Sequence, residues 1–445
     1  MPEKKGPASL IKIMSEKEIK NEFIPQLTIA SQPLFRTIKH LQDKKGYPNR
    51  ELVFSIMREV EELETFLDDY DALHNKKFFY YRELIGSIRW INIAIFHGLH
   101  IYARLKSYNL DVSTKEKNAF IKDLKKTITF YLAGLKDIGR ELQEEALKIG
   151  IKKPKEKYGE KKPLIKMQKK ILPPDIEEDA VKVKEQRMIG ILVKFLEKSE
   201  DLNTFVCSVK TEEEITEEVM EKYKSIFNQI ESLYDTFLKN TKIERQYTDL
   251  KKIRGHIALT LHLLEIGKAL THFHERHSDK LKKYSSSSRA TPLFQNDTIK
   301  KTVREFILNY TIHFLLAGKI TSIKIFKKMD MDPEEFIYST KKLILSSYRI
   351  EDFHLRPIMP VTQIAEKYKL DTNLYYNRNK YNLKSAVEMM IAIPDIREVL
   401  IKENVEIMLQ GPKKAVNEIA DFIKAQCGAY EKEIVCSIIP SYNKI

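Results

Sequence analysis

The chain has 445 residues and a formal net charge of +14, with 42% hydrophobic, 10% aromatic and 31% charged residues. Such a composition supplies packed cores and a solvated surface, which excludes a disordered or fibrous chain, and the length predicts two to four domains. The charge excess raises nucleic acid and anionic membrane as partners, but nine lysines against two glutamates in residues 152–170 carry much of it. A solvated linker is the plain reading of that run, and a polyanion contact is the alternative.

The polar start Met1-Pro2-Glu3-Lys4-Lys5 has no apolar core of a secretory signal, so a cytoplasmic location is expected. Residues 1–20 are charged and are expected to fray. From there to about 150 the apolar residues fall three and four apart, and no stretch alternates like a strand. Asn49 is placed to cap a helix that carries Val53, Ile56, Val60, Leu63 and Leu67 on one face. A second helix is predicted over 77–108. Its apolar run at 90–96, followed by His97 and His100 and bracketed by Arg89 and Arg104, is too short and too polar to span a bilayer. A third is predicted over 114–149, opened by Ser113 or Thr114, with Glu116 in its first turn to suit the helix dipole.

Residues 151–185 hold Pro154, Pro163, Pro173 and Pro174 among the lysines, which predicts an extended basic linker. Helical periodicity resumes near 180 and runs to 328, and it repeats what came before. TITFYLAG at 127–134 recurs as TIHFLLAG at 311–318, residues 56–67 correspond to 226–238, and 88–99 to 256–267. Two copies of one all-α bundle are therefore expected, at 20–150 and 186–340.

Beyond residue 330 the pattern changes. Asp332 is placed to cap a helix that starts at Pro333 and ends near 342. Strands are predicted at 343–350, 373–376, 380–383 and 405–410, the last with Val405, Ile407 and Leu409 on one buried face. Helices are predicted at 357–369, 385–393 and 412–426. The order describes an α+β sandwich over 343–430, with a tail at 431–445.

One stretch of that sandwich carries phosphate chemistry. A neutral imidazole at His354 is a nucleophile toward phosphorus, Arg356 offers a bidentate guanidinium for the charge, and Pro357 suits the first position of a helix whose free N–H groups complete an anion site. With the element order, the H-x-R-P motif at 354–357 and the Asn-x-Lys-Ser sequence at 382–385, residues 343–427 resemble the histidine phosphocarrier protein (HPr) of the bacterial sugar phosphotransferase system. The 31 positions from His354 to Ser385 are similar to that family's spacing between phosphorylated histidine and regulatory serine. The resemblance implies an open-faced sandwich of a four-stranded antiparallel sheet with three helices. It implies that His354 accepts a phosphoryl group from a phosphoenolpyruvate-dependent donor protein and that Arg356 stabilises it. Partners would be phosphotransferase-system proteins or regulatory targets.

Ser385 keeps two readings, a phosphosite by resemblance or a helix cap with Glu388 reaching back. The acidic Glu351 and Asp352 would raise the imidazole pKa and repel phosphate, and Pro360 cannot bond back to the Arg356 carbonyl. The alternative is thus a regulatory or scaffold protein whose sandwich binds partners without phosphotransfer. Among the remaining candidates, His272, His274, His277 and Glu275 lack HExxH spacing, so no metal is expected. No Gly-rich phosphate loop occurs, so no cofactor is expected either. The cysteines Cys207, Cys427 and Cys436 lack CxxC spacing and are expected as reduced thiols.

Overall fold

A computed structural model describes residues 13–152, 185–285, 291–294, 298–347, 358–377 and 379–432. The N-terminal helices start where side chains satisfy the first free N–H groups. Ser15 accepts from the Glu18 amide at 3.3 Å while Glu18 accepts from the Ser15 amide at 2.7 Å, so the chain is already helical from Glu16. This corrects the expected fraying for residues 16–20, while residues 1–12 lie outside the described residues. After a π-helical turn come α1 (Ile24–Asp43) and α2 (Arg50–Asp69), the latter capped by Asn49, which accepts from the Leu52 amide at 3.0 Å. Helix α3 (Phe79–Arg104) ends in a 3-10 turn at Leu105–Tyr108, and α4 (Thr114–Ile149) opens on a Ser113–Glu116 capping box.

The second helical region holds α5 (Glu185–Ser208), α6 (Glu217–Phe237), α7 (Leu250–Phe273) and α8 (Asn309–Lys328). A π-helical turn at His274–Ser278 and a short helix, Asp279–Tyr284, continue α7. Two helical stretches, Phe79–Tyr108 and Thr298–Lys328, have a window as apolar as a membrane span, but 61% of each window is buried inside the protein, as in a core helix.

The chain forms two compact units. One holds α1, α2, α3 up to Leu99, α4 from Lys125, and residues of 272–299. Its core is an apolar seam that includes Leu27, Phe35, Ile38, Ile56, Leu84 and Ile88, all 0–1% exposed. The other unit holds residues 100–124, α5 to α7 up to Thr271, α8 and the C-terminal sandwich. Each unit therefore takes pieces from both helical regions.

The sandwich contains β1 (Tyr338–Leu345), α9 (Ile358–Glu366), β2 (Asn373–Tyr376), β3 (Asn379–Asn382), α10 (Ala386–Leu400), β4 (Val405–Pro412), α11 (Lys413–Cys427) and β5 (Tyr430–Lys432). The strands pair antiparallel in the order β3-β2-β4-β1-β5. The sheet has five strands where four were expected, because Tyr430–Lys432 adds to the free edge of β1. The helix predicted from Pro333 is a single 3-10 turn at Pro333–Glu335, and β1 starts five residues before the predicted strand. Asp332 does cap, accepting from the Glu334 amide at 2.9 Å, but an eight-residue ladder with β4 outweighs the local start signal. Helix α10 continues past Pro394 to Leu400, because Ile396 and Leu400 extend the stripe that Ala392 and Ile393 bury.

Both faces of this sheet are covered. Leu343, Leu345, Leu374, Ile407 and Leu409 point into one apolar core with side chains of α9, α10 and α11. The side of β1 that carries Tyr338 and Thr340 meets the helical part of the same unit. There the Thr204 and Thr340 hydroxyls lie 2.9 Å apart, Lys319 donates to the Tyr338 carbonyl at 2.9 Å, and Phe326 stacks on Phe336 at 4.8 Å.

Candidate functional site

His354, Arg356 and Pro357, with Glu351 and Asp352, lie outside the described residues. The structure shows what brackets them. Strand β1 ends at Leu345, and the Ser347 amide donates to the Asn404 side chain at 2.9 Å, tying the end of β1 to the turn before β4. Helix α9 is described from Ile358, and Pro360 is the third of its described residues.

The 382–385 motif works as a local scaffold. The Asn382 side chain accepts from the Lys384 amide at 3.0 Å, and the Lys384 ammonium donates to the Lys369 carbonyl at 3.1 Å and lies 3.3 Å from Asp371. Ser385 is the N-cap of α10, its hydroxyl accepting from the Glu388 amide at 3.2 Å. Glu388 reaches back as expected, but to the Asn382 amide, at 2.6 Å, rather than to that of Ser385. Leu383 is fully buried between these polar residues and locks the motif to the core.

Beside the motif runs an apolar surface. Val387, Met390 and Ile391 of α10 are 69%, 56% and 56% exposed, and their spacing puts them on one helix face. Met359 at the start of α9 and Ile401 at the end of α10 are exposed as well. The opposite face of α10 is the buried one. Helix α10 therefore carries apolar residues on both faces, the outer ones exposed. The sequence reading missed this surface. Its signal was the apolar run at 389–393, which a core helix with a polar outer face would not carry.

The histidine cluster of the sequence falls elsewhere. His277 is buried, with Nδ1 2.9 Å from Glu83 Oε2, and Lys280 donates to Glu83 Oε1 at 3.1 Å. Burial alone would raise the Glu83 pKa, but the bonds from His277 and Lys280 hold the carboxyl below its ordinary value. Glu64 nearby is paired with Arg82 at 3.0 Å and Arg89 at 2.9 Å. Among the described residues no three His, Cys, Asp or Glu side chains are grouped to hold a metal ion. Cys427 is a buried thiol, and Cys436 lies outside the described residues. Comparisons with protein-family models, curated proteins and solved structures find no match to this chain.

Proposed function

We propose that the sandwich is an HPr-type phosphotransfer module, in which His354 accepts a phosphoryl group from a phosphoenolpyruvate-dependent donor protein and Arg356 neutralises the charge. As the bond from phosphorus to the donor breaks, a P–N bond forms at the imidazole. The observation that carries this reading is the exposed apolar face of Val387, Met390 and Ile391, next to the motif that caps α10. A carrier must dock transiently on donors and acceptors, and a small apolar patch beside the reacting group suits that need. The element order from β1 to α11, with three helices packed on one sheet face, supports the same reading. On this reading the protein works in the cytoplasm, within a sugar phosphotransferase system.

The second reading keeps the docking face and drops the chemistry. Glu351 and Asp352, so close in sequence to His354, favour it, because two carboxylates oppose an incoming phosphate. The test incubates the full chain with phosphotransferase donor proteins and labelled phosphoenolpyruvate. An acid-labile label that is absent from His354→Ala supports transfer. Absence of label, with partner binding equal in wild type and His354→Ala, supports the binding-only module.

A further inference from the structure

We propose that the helical region is a segment-exchanged pair, in which each half of the chain lends the tip of its helical hairpin to complete the core of the other half. The halves are residues 13–152 and 185–328, and this inference does not depend on the phosphotransfer reading. The second compact unit includes residues 100–124 of the first half, and the first unit includes residues of 272–299 from the second half. Both loans are built the same way, with a glycine, a buried histidine and a carboxylate at the landing point.

In the second unit the borrowed tip is the turn from α3 into α4. It lands on Gly255 of α7, where an added Cβ would lie 1.6 Å from the Tyr108 carbonyl oxygen, so no side chain fits without moving backbone. The Asp111 amide points to Nε2 of the buried His256 at 3.4 Å. The Asp111 carboxylate takes the Lys324 ammonium at 2.7 Å and the Thr321 hydroxyl at 3.2 Å, with Lys252 at 3.8 Å. Phe120, fully buried, meets Phe306, Tyr310 and Phe314 at ring distances of 6.1, 4.8 and 5.1 Å.

In the first unit the borrowed tip follows α7. It lands on Gly86 of α3, where an added Cβ would lie 2.8 Å from Cε1 of His277. His277 and Lys280 converge on Glu83, which is fully buried. Tyr284 packs on Phe79 at 5.5 Å, and Leu293 occupies the space over Gly134. Gly86 and Gly98 are spaced as Gly255 and Gly267 are, and by the correspondence of 88–99 with 256–267 the two landing glycines fall within one residue of the same place. Reciprocal exchange between two like bundles is what a swapped homodimer does, and here one chain supplies both copies. A half without its borrowed tip leaves buried charges and aromatic surface open to water.

The test uses the full chain. Zero-length carbodiimide coupling of the monomer, followed by peptide mass spectrometry, is expected to join Asp111 to Lys324. Hydrogen exchange then reads the crossed pattern. Gly255→Ala is expected to lower protection of residues 100–124 roughly tenfold or more while leaving 272–284 unchanged, and Gly86→Ala is expected to do the reverse. Losses confined to the half that carries the substitution would overturn the exchange. If an alanine variant does not fold, the wild-type coupling decides: Asp111 joined only to lysines of its own half sinks the proposal.

Discussion

His256 sits in α7 with no exposed surface and its ring turned to the Asp111 amide. Burial pushes its pKa down to about 3, nearby His313, Lys117 and Lys252 push the same way, and only Asp111 opposes them. The folded protein therefore keeps the ring neutral while the unfolded chain takes up a proton near the ordinary value of 6.5. Stability from this residue is complete above that value and falls with pH through the window below it, by about 1.4 kcal/mol per unit. His256→Gln keeps an acceptor for the amide and should flatten the slope of urea-denaturation free energy between about pH 7 and pH 5. An unchanged slope would assign the acid sensitivity to other groups. Ser385 gives a second residue-scale prediction. If its hydroxyl serves as a cap, Ser385→Ala costs about 1 kcal/mol while Ser385→Asp, also a good cap, costs a few tenths. Chemical denaturation separates the two, and equal losses would reject the cap. Ser385 and Glu388 were legible in the sequence because capping is local. His256 was not, because its environment comes from Asp111, 145 positions away.

Helices and strands were legible where their signals are local. Asn49, the Ser113–Glu116 pair and Ser385 mark helix starts that the structure shows, and α4 spans the predicted 114–149. The misplaced elements are those in which a long-range contact outweighs a local one. Tyr338 to Lys342 follow a helix start signal yet pair with Met408 to Pro412, and a ladder across the sheet cannot be read from one strand. Pro394 reads as a stop, yet α10 passes through it and leaves the Met390 carbonyl without its helical donor. Pro394→Ala restores that bond and is expected to raise the stability of the sandwich by roughly 1–3 kcal/mol in thermal unfolding. The same helix separates stability from docking. Met390 and Ile391 face outward, so Met390→Lys and Ile391→Glu should each shift stability by no more than about 0.5 kcal/mol. Both should abolish capture of a phosphotransfer partner by the full chain. Stable variants that still bind at wild-type affinity would remove α10 as the docking face.

At the scale of the molecule, residues 100–124 read as part of the first helical region, whereas the second compact unit holds them. Nothing within residues 100–124 says that their aromatic and charged side chains belong with α7 and α8. Nor does β1 announce that its second face is covered. Tyr338 and Thr340 fall in the stretch read as a helix from Pro333, whereas in strand β1 Tyr338 is 5% exposed and Thr340 bonds to Thr204 of α5. Lys319 of α8 joins these parts, since its ammonium donates to the Tyr338 carbonyl at 2.9 Å and to Glu200 at 3.2 Å. Lys319→Ala would leave Glu200, only 8% exposed, as an uncompensated carboxylate and the strand carbonyl without its donor. The expected cost is about 2–4 kcal/mol. It should appear together in the helices and in the sandwich, because they share this face rather than touching through a linker. Hydrogen exchange on the full chain reads the result residue by residue. Protection should fall in parallel over 185–208 and over 338–345 and 405–412. A loss confined to α8, with β1 and β4 as protected as before, would show the sandwich to be an independent folding unit.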